Sequence, residues 1–164
     1  MGVTGTDSVA SGLTLLAEAS RGFERAYVPY SKFPVGAAVL ADDGRVFSGV
    51  NVENASYGLT ICAERVALFA AVAAGASGLR AIAVAAQRMR PVLPCGACRQ
   101  VMFELMQADS TVFLQNSDGS VRETTVGALL PEAFSSDDLV NGDAKRPRGV
   151  GAVVDDELTE GDGT

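Results

Sequence analysis

Histidine is missing altogether from this 164-residue chain, and cysteine occurs only three times. Together these shortages rule out a structural zinc module of the usual kind, which needs four ligands that Cys and His cannot supply here. Three cysteines without a charged-then-apolar leader also argue against a disulfide framework. No apolar run approaches the roughly 18–20 residues of a spanning helix, so no membrane partner is expected and the cytoplasm is the expected compartment. Positive charge is short as well: 13 Lys and Arg stand against 20 Asp and Glu, a net charge of −7. Such a balance repels phosphate backbones, and KRPR at 145–148 is the only dense basic cluster. No nucleic-acid partner is expected; a small molecule fits better. Internal repeats are absent.

What is present suffices for one domain with a real core, since 48% of the residues are hydrophobic and 20% charged. Asp7 and Ser8 can cap a first helix with apolar positions at Val9, Leu13, Leu16, Ala19, Phe23 and Tyr27, ending at Pro29. VGAAVL (35–40) and RVFSGV (45–50) are strand-like runs joined by the turn signal Asp42-Asp43-Gly44. A second helix is expected from Cys62 to Ala74, stopped by Gly75. RAIAVAA (80–86) reads as a buried strand, the stretch from Pro94 to Gln107 as a helix, and TVFLQ (111–115) as another strand. Asn116 to Gly119 reads as a turn, and Thr125 to Leu130 as a short helix. Helix, hairpin, helix, strand, helix, strand is an α/β order, with helices on both faces of a mixed sheet. From about Val140 the pattern dissolves into Gly and charge. The domain is therefore placed at 1–139 and an acidic, mobile tail at 140–164.

PVLPCGACRQ (91–100) sets Cys95 and Cys98 three residues apart beside a proline. Alone, that spacing fits a redox pair, half of a metal site, or core packing. Both sulfurs stand at a predicted helix start and can face one way. Cys62 stands at another, and helix N-termini favour thiolate over thiol. Three sulfurs leave a zinc ion one open position, which separates catalytic from structural zinc. Glu64 lies two residues beyond Cys62. Residues two apart in a helix diverge by about 200°, so they converge only if Cys62 sits at the cap or in the first turn. Arg65 is placed to offset excess negative charge on the sulfurs. Taken singly, Glu64 reads as a surface charge and each cysteine as packing. C-A-E followed by P-C-x-x-C, however, uses every cysteine in the chain.

That combination matches the signature of zinc-dependent nucleobase deaminases. Four blocks in order, YVPYSKFPVGAA, NVENASYGLTICAER, PCGACRQ and LLPEAFSSDDL, closely resemble the small homotetrameric cytidine deaminases. The resemblance implies a three-layer α/β/α sandwich on a mixed, roughly five-stranded sheet. It also implies one zinc ion (Zn2+) per subunit on Cys62, Cys95 and Cys98, with Arg65 hydrogen-bonded to the thiolates. Glu64 would take a proton from the attacking water and pass protons to N3 and the departing amine of cytidine or deoxycytidine. Asn51 and Glu53 would bind the sugar hydroxyls, and Phe33 and Ala63 would contact the substrate. Without the resemblance, Asn51 and Glu53 read as turn residues and Phe33 as core. Tyr57 and Phe134 would reach a neighbouring subunit's site, so a homotetramer is expected. Val66 stands where the family often has threonine. The runner-up is a deaminase of a related cytosine nucleoside, such as the aminonucleoside antibiotic blasticidin S.

Overall fold

Two hydrophobic clusters, one on each face of a single sheet, organise the computed structural model, which describes residues 5–88, 92–135 and 138–139. Its strands are β1 (Val35–Ala41), β2 (Val46–Val50), β3 (Leu79–Ala86), β4 (Thr111–Gln115) and β5 (Val121–Thr125), in the order β2-β1-β3-β4-β5. The helices are α1 (Gly5–Ser20), α2 (Ala63–Ala73), α3 (Gly96–Leu105) and the short α4 (Val126–Leu129). All neighbouring strands are antiparallel except β3 and β4, which are parallel and joined through α3. A parallel pair needs such a crossover.

Strand side chains alternate between faces, and the alternation assigns the layers. Ala37, Val39, Ile82, Val84, Val112 and Leu114 pack against Ala67 and Leu68 of α2 and Met102 of α3. Ala38, Ala81, Ala83, Ala85 and Phe113 pack against Leu15, Leu16 and Ala19 of α1. The expected mixed five-stranded α/β/α sandwich is the fold observed. Glycine sets how closely α2 approaches. A Cβ at Gly49 of β2 would overlap the Ala63 carbonyl and the Ala67 amide, so the first turns of α2 lie directly on the sheet.

The hairpin turns at Gly44, whose φ of +87° suits glycine, and α2 gives way at Gly75 with φ +67°. Two expectations need correction. The first helix begins at Gly5, which puts Asp7 and Ser8 inside it rather than at its cap, and it stops at Ser20 instead of running to Pro29. At Gly22 a Cβ would collide with Val50 at the end of β2, and the hydrogen bonding tightens to Gly22 N–Ala19 O and Arg25 N–Gly22 O. Phe23–Arg25 forms one 3-10 turn, and Tyr27 leaves the helical stripe to bridge Val52. Leu13 is exposed, and the buried stripe is Leu15, Leu16 and Ala19. The strand β5 goes beyond the sequence expectation, because VRETT offers little apolar content at a sheet edge. The tail expected from residue 140 lies outside the described residues. No helix among the described residues is long and apolar enough to cross a membrane.

Candidate active site

The chain brings its sulfurs together at the sheet end where β3 finishes and α2 and α3 begin. Cys62 is the N-cap of α2 and Cys95 the N-cap of α3, both with extended backbone, and neither side chain caps its own helix. Cys98 follows in the first turn of α3. The Cys62 and Cys95 sulfurs are 3.8 Å apart and those of Cys95 and Cys98 are 3.5 Å apart. All three fall within 4.8 Å of one another. A tetrahedral zinc with Zn–S bonds of about 2.3 Å requires sulfurs about 3.8 Å apart, so the donor set fits that ion. Cys98 is buried, Cys62 half-buried and Cys95 exposed, which makes the Cys95 side the open one.

Electrostatics favour the same assignment. The Cys62 thiol is pushed down to about 5, first by its hydrogen bond with Cys98 and then by Arg65 and Cys95, against an opposing effect of burial. The same bond, with burial, pushes Cys98 up. The cluster thus favours one thiolate while holding back protons that a divalent cation would displace. Arg65 Nη2 donates to the Thr60 carbonyl at 3.2 Å and to Cys62 Sγ at 3.9 Å. Its Nε is buried with no hydrogen-bond partner among the described residues. Leaving such a donor unpaired costs about 1–3 kcal/mol, a cost offset where the cation lies against negatively charged sulfur.

Because Cys62 is the cap and Glu64 lies in the first turn, the two converge despite their spacing. Glu64 is only 4% exposed and belongs to the face of α2 that packs inward. Burial, followed by the nearby Cys62 charge, raises its carboxyl above the ordinary glutamate range. A carboxyl tuned upward can hold a proton and release it near neutral pH.

The other expected residues gather at the same end in less direct ways. Asn51 brackets the backbone ahead of β1: its Oδ1 accepts from Val35 N and its Nδ2 donates to Phe33 O, both at 2.9 Å. One amide hydrogen and one lone pair of Asn51 remain for other partners. Glu53 Oε2 accepts from Tyr30 N at 2.9 Å and Ser31 N at 3.2 Å. Its carboxyl is held below the usual range, chiefly by the Ser31 side chain. An open pocket of about 420 Å³ lies here, lined by Tyr30, Ser31, Glu53, Tyr57 and Thr60. Phe33 is half-buried. Ala63 is fully buried, with its carbonyl against Gly49. Tyr57 is 76% exposed, edge-on to Tyr30 with ring centroids 6.0 Å apart, and Phe134 is 59% exposed. Neither ring lies in the core.

Sequence reasoning passed over Tyr30, Ser31 and Thr60, which line the pocket, and Arg99 and Gln100, which follow Cys98. Their only signal was membership of the motif blocks.

Three sulfurs leave a tetrahedral ion one position for a non-protein ligand, and a buried carboxyl stands beside it. On an α/β/α sandwich, this defines a metal-dependent enzyme equipped for proton transfer. The profile described as "Cytidine and deoxycytidylate deaminase zinc-binding region" matches residues 11–115. The cytidine deaminase of Halalkalibacterium halodurans is 58% identical over 125 residues, covering 76% of this chain and 95% of the relative. That of Sporosarcina psychrophila is 54% identical over 125 residues, covering 76% and 92%. Among solved structures, the Burkholderia pseudomallei cytidine deaminase aligns with a TM-score of 0.70 and 54% identity, covering 74% of this chain and 97% of that one. The Mycobacterium tuberculosis cytidine deaminase aligns with a TM-score of 0.66 and 43% identity, covering 74% and 95%. The chain belongs to the cytidine deaminase family.

Proposed function

We propose that the protein catalyses the zinc-dependent hydrolytic deamination of cytidine and deoxycytidine to uridine and deoxyuridine, serving pyrimidine salvage in the cytoplasm. The observation that carries this reading is the convergence of Cys62, Cys95 and Cys98 beside the buried Glu64. Those three thiolates would hold the ion. When bound, zinc supplies Lewis acidity that makes water a nucleophile at neutral pH.

The chain's own residues do the rest. The Glu64 carboxylate takes a proton from the attacking water as its oxygen bonds to C4 of the base. The same carboxyl delivers that proton to N3, then takes the remaining proton from the new C4 hydroxyl and passes it to the departing amine, so that ammonia leaves and the C4 carbonyl forms. One group suffices because nucleophile and leaving group share one carbon. Arg65 tempers the charge of three thiolates. Glu53, ionised beside the pocket, and the remaining hydrogen-bonding positions of Asn51 suit vicinal sugar hydroxyls. Phe33 and Ala63 would contact the substrate. Tyr57 and Phe134 are large rings left in water, which suits a homotetramer in which each completes a neighbour's site. The catalytic domain is read as 1–139, with 140–164 outside it; relatives matched over nearly their whole length span only 125 residues of this chain.

Incubating purified, zinc-loaded protein with cytidine and following ammonia release tests the reading. Stoichiometric uridine supports it; no turnover of either nucleoside by zinc-loaded protein refutes it.

A further inference from the structure

The turn of α3 that carries Cys95 and Cys98 also grips a distant part of the chain. Arg99, the residue after Cys98, donates from Nε to the Pro94 carbonyl at 2.8 Å and from Nη1 to the Leu129 carbonyl at 3.0 Å. Gln100 donates from Nε2 to the Phe134 carbonyl at 2.8 Å. Pro94 directly precedes Cys95 and is fully buried, so its carbonyl needs a protein donor. Leu129 ends α4, where carbonyls lack intrahelical partners and favour a cation.

We propose that Arg99 and Gln100 are positioning residues that couple the metal-binding turn to the segment 129–134, and so couple ion occupancy to the placement of Phe134. This rests on the zinc-site reading and on the substrate role of Phe134 given above. The guanidinium is a rigid fork, and its Nε and Nη1 keep a fixed separation. A shift of the Pro94 carbonyl is therefore passed to the Leu129 carbonyl. Gln100 fixes the far end of the same segment. The Phe134 backbone is thereby tied to α3 while its ring stays exposed toward whatever it contacts. Lysine reproduces the clamp poorly, because its ammonium is a point charge on a flexible stem and not a rigid fork. Linkage makes the coupling reciprocal: an ion that orders the turn orders 129–134, and a broken clamp weakens the ion's hold.

The test measures zinc affinity by competition with a chromophoric chelator, and amide hydrogen exchange over 127–135 in zinc-loaded and chelated protein. In the parent, chelation should speed exchange across 127–135. Arg99→Ala should exchange fast there even with zinc bound and should bind zinc about tenfold more weakly or worse, the size of effect seen when outer-shell partners of metal ligands are lost. Arg99→Lys should fall between the two. Gln100→Ala should keep zinc affinity within about twofold while KM for cytidine rises and kcat holds, since it touches only the Phe134 end. If Arg99→Ala fails to fold, Arg99→Lys and Gln100→Ala carry the test. The coupling is overturned if 127–135 exchange alike with and without zinc, or if the Arg99 variants keep parental affinity and exchange. Parent protein that binds zinc and deaminates cytidine while these arms fail overturns the coupling alone. Parent protein that binds no zinc takes down the underlying reading with it.

Discussion

The two faces of the sheet are covered by helices of opposite polarity. On one face α1 arrives with its C-terminus: the Ala19 carbonyl meets Gly36 of β1, and the chain turns at Gly22 against Val50. On the other, α2 and α3 present their N-termini at that same end of the sheet. The α1 face is closed by Leu15, Leu16, Ala19, Phe113 and small strand residues, with Glu18 at its margin accepting from Ser48 and no cysteine in its cluster among the described residues. The opposite cluster includes Cys98, with Glu64 on the same inward face of α2. Helix N-termini stabilise thiolate and carbonyl ends do not. Helix direction, more than the sheet, decides which face becomes chemical.

Lesions on the two faces should therefore separate activity from stability. Cys98→Ala should have the largest effect, abolishing zinc binding and turnover together; the metal content of the purified variant checks it. Glu64→Gln should keep one zinc per chain yet lose about 10²–10⁴ in kcat, the usual worth of a general acid–base group. An active Glu64→Gln variant removes the proton-transfer role. Phe134→Ala should raise KM roughly 2- to 10-fold with kcat nearly unchanged, matching an aromatic contact of about 0.5–1.5 kcal/mol. Leu16→Ala, on the α1 face, should cost about 3 kcal/mol of stability in denaturant titration and leave kcat/KM of the folded fraction intact. A large loss of kcat there would blur the division between faces. Ending the chain after Leu139 should change kcat/KM least of all.

Much of this arrangement was legible in the residues. β1 to β4, α2 and α3 follow from apolar runs bounded by glycine and proline, because each packs an apolar face into a core. The metal ligands were legible because no cysteine was left over. Even the Cys62–Glu64 geometry followed, since two residues two apart meet only at a cap. Less visible was anything set by tertiary contact. Spacing carries the apolar stripe of α1 on to Tyr27, while the helix stops at Ser20 and the chain tightens into a 3-10 turn as it passes β2 at Gly22. β5 is held by pairing with β4 rather than by its own hydrophobicity. Asn51 and Glu53 use backbone amides and a carbonyl of residues 30–35 as partners, and no one-dimensional spacing reports that. The Arg99 and Gln100 contacts span 30 and 34 residues of sequence and surface only once α4 and its following loop are in place.

The most direct measurement is zinc quantification alongside cytidine turnover on one sample, before chelation, after it, and after zinc is restored. One zinc per chain should track activity through all three stages, as the proposed role of Cys62, Cys95 and Cys98 in holding a catalytic ion beside Glu64 requires. Full turnover by metal-free protein would contradict that.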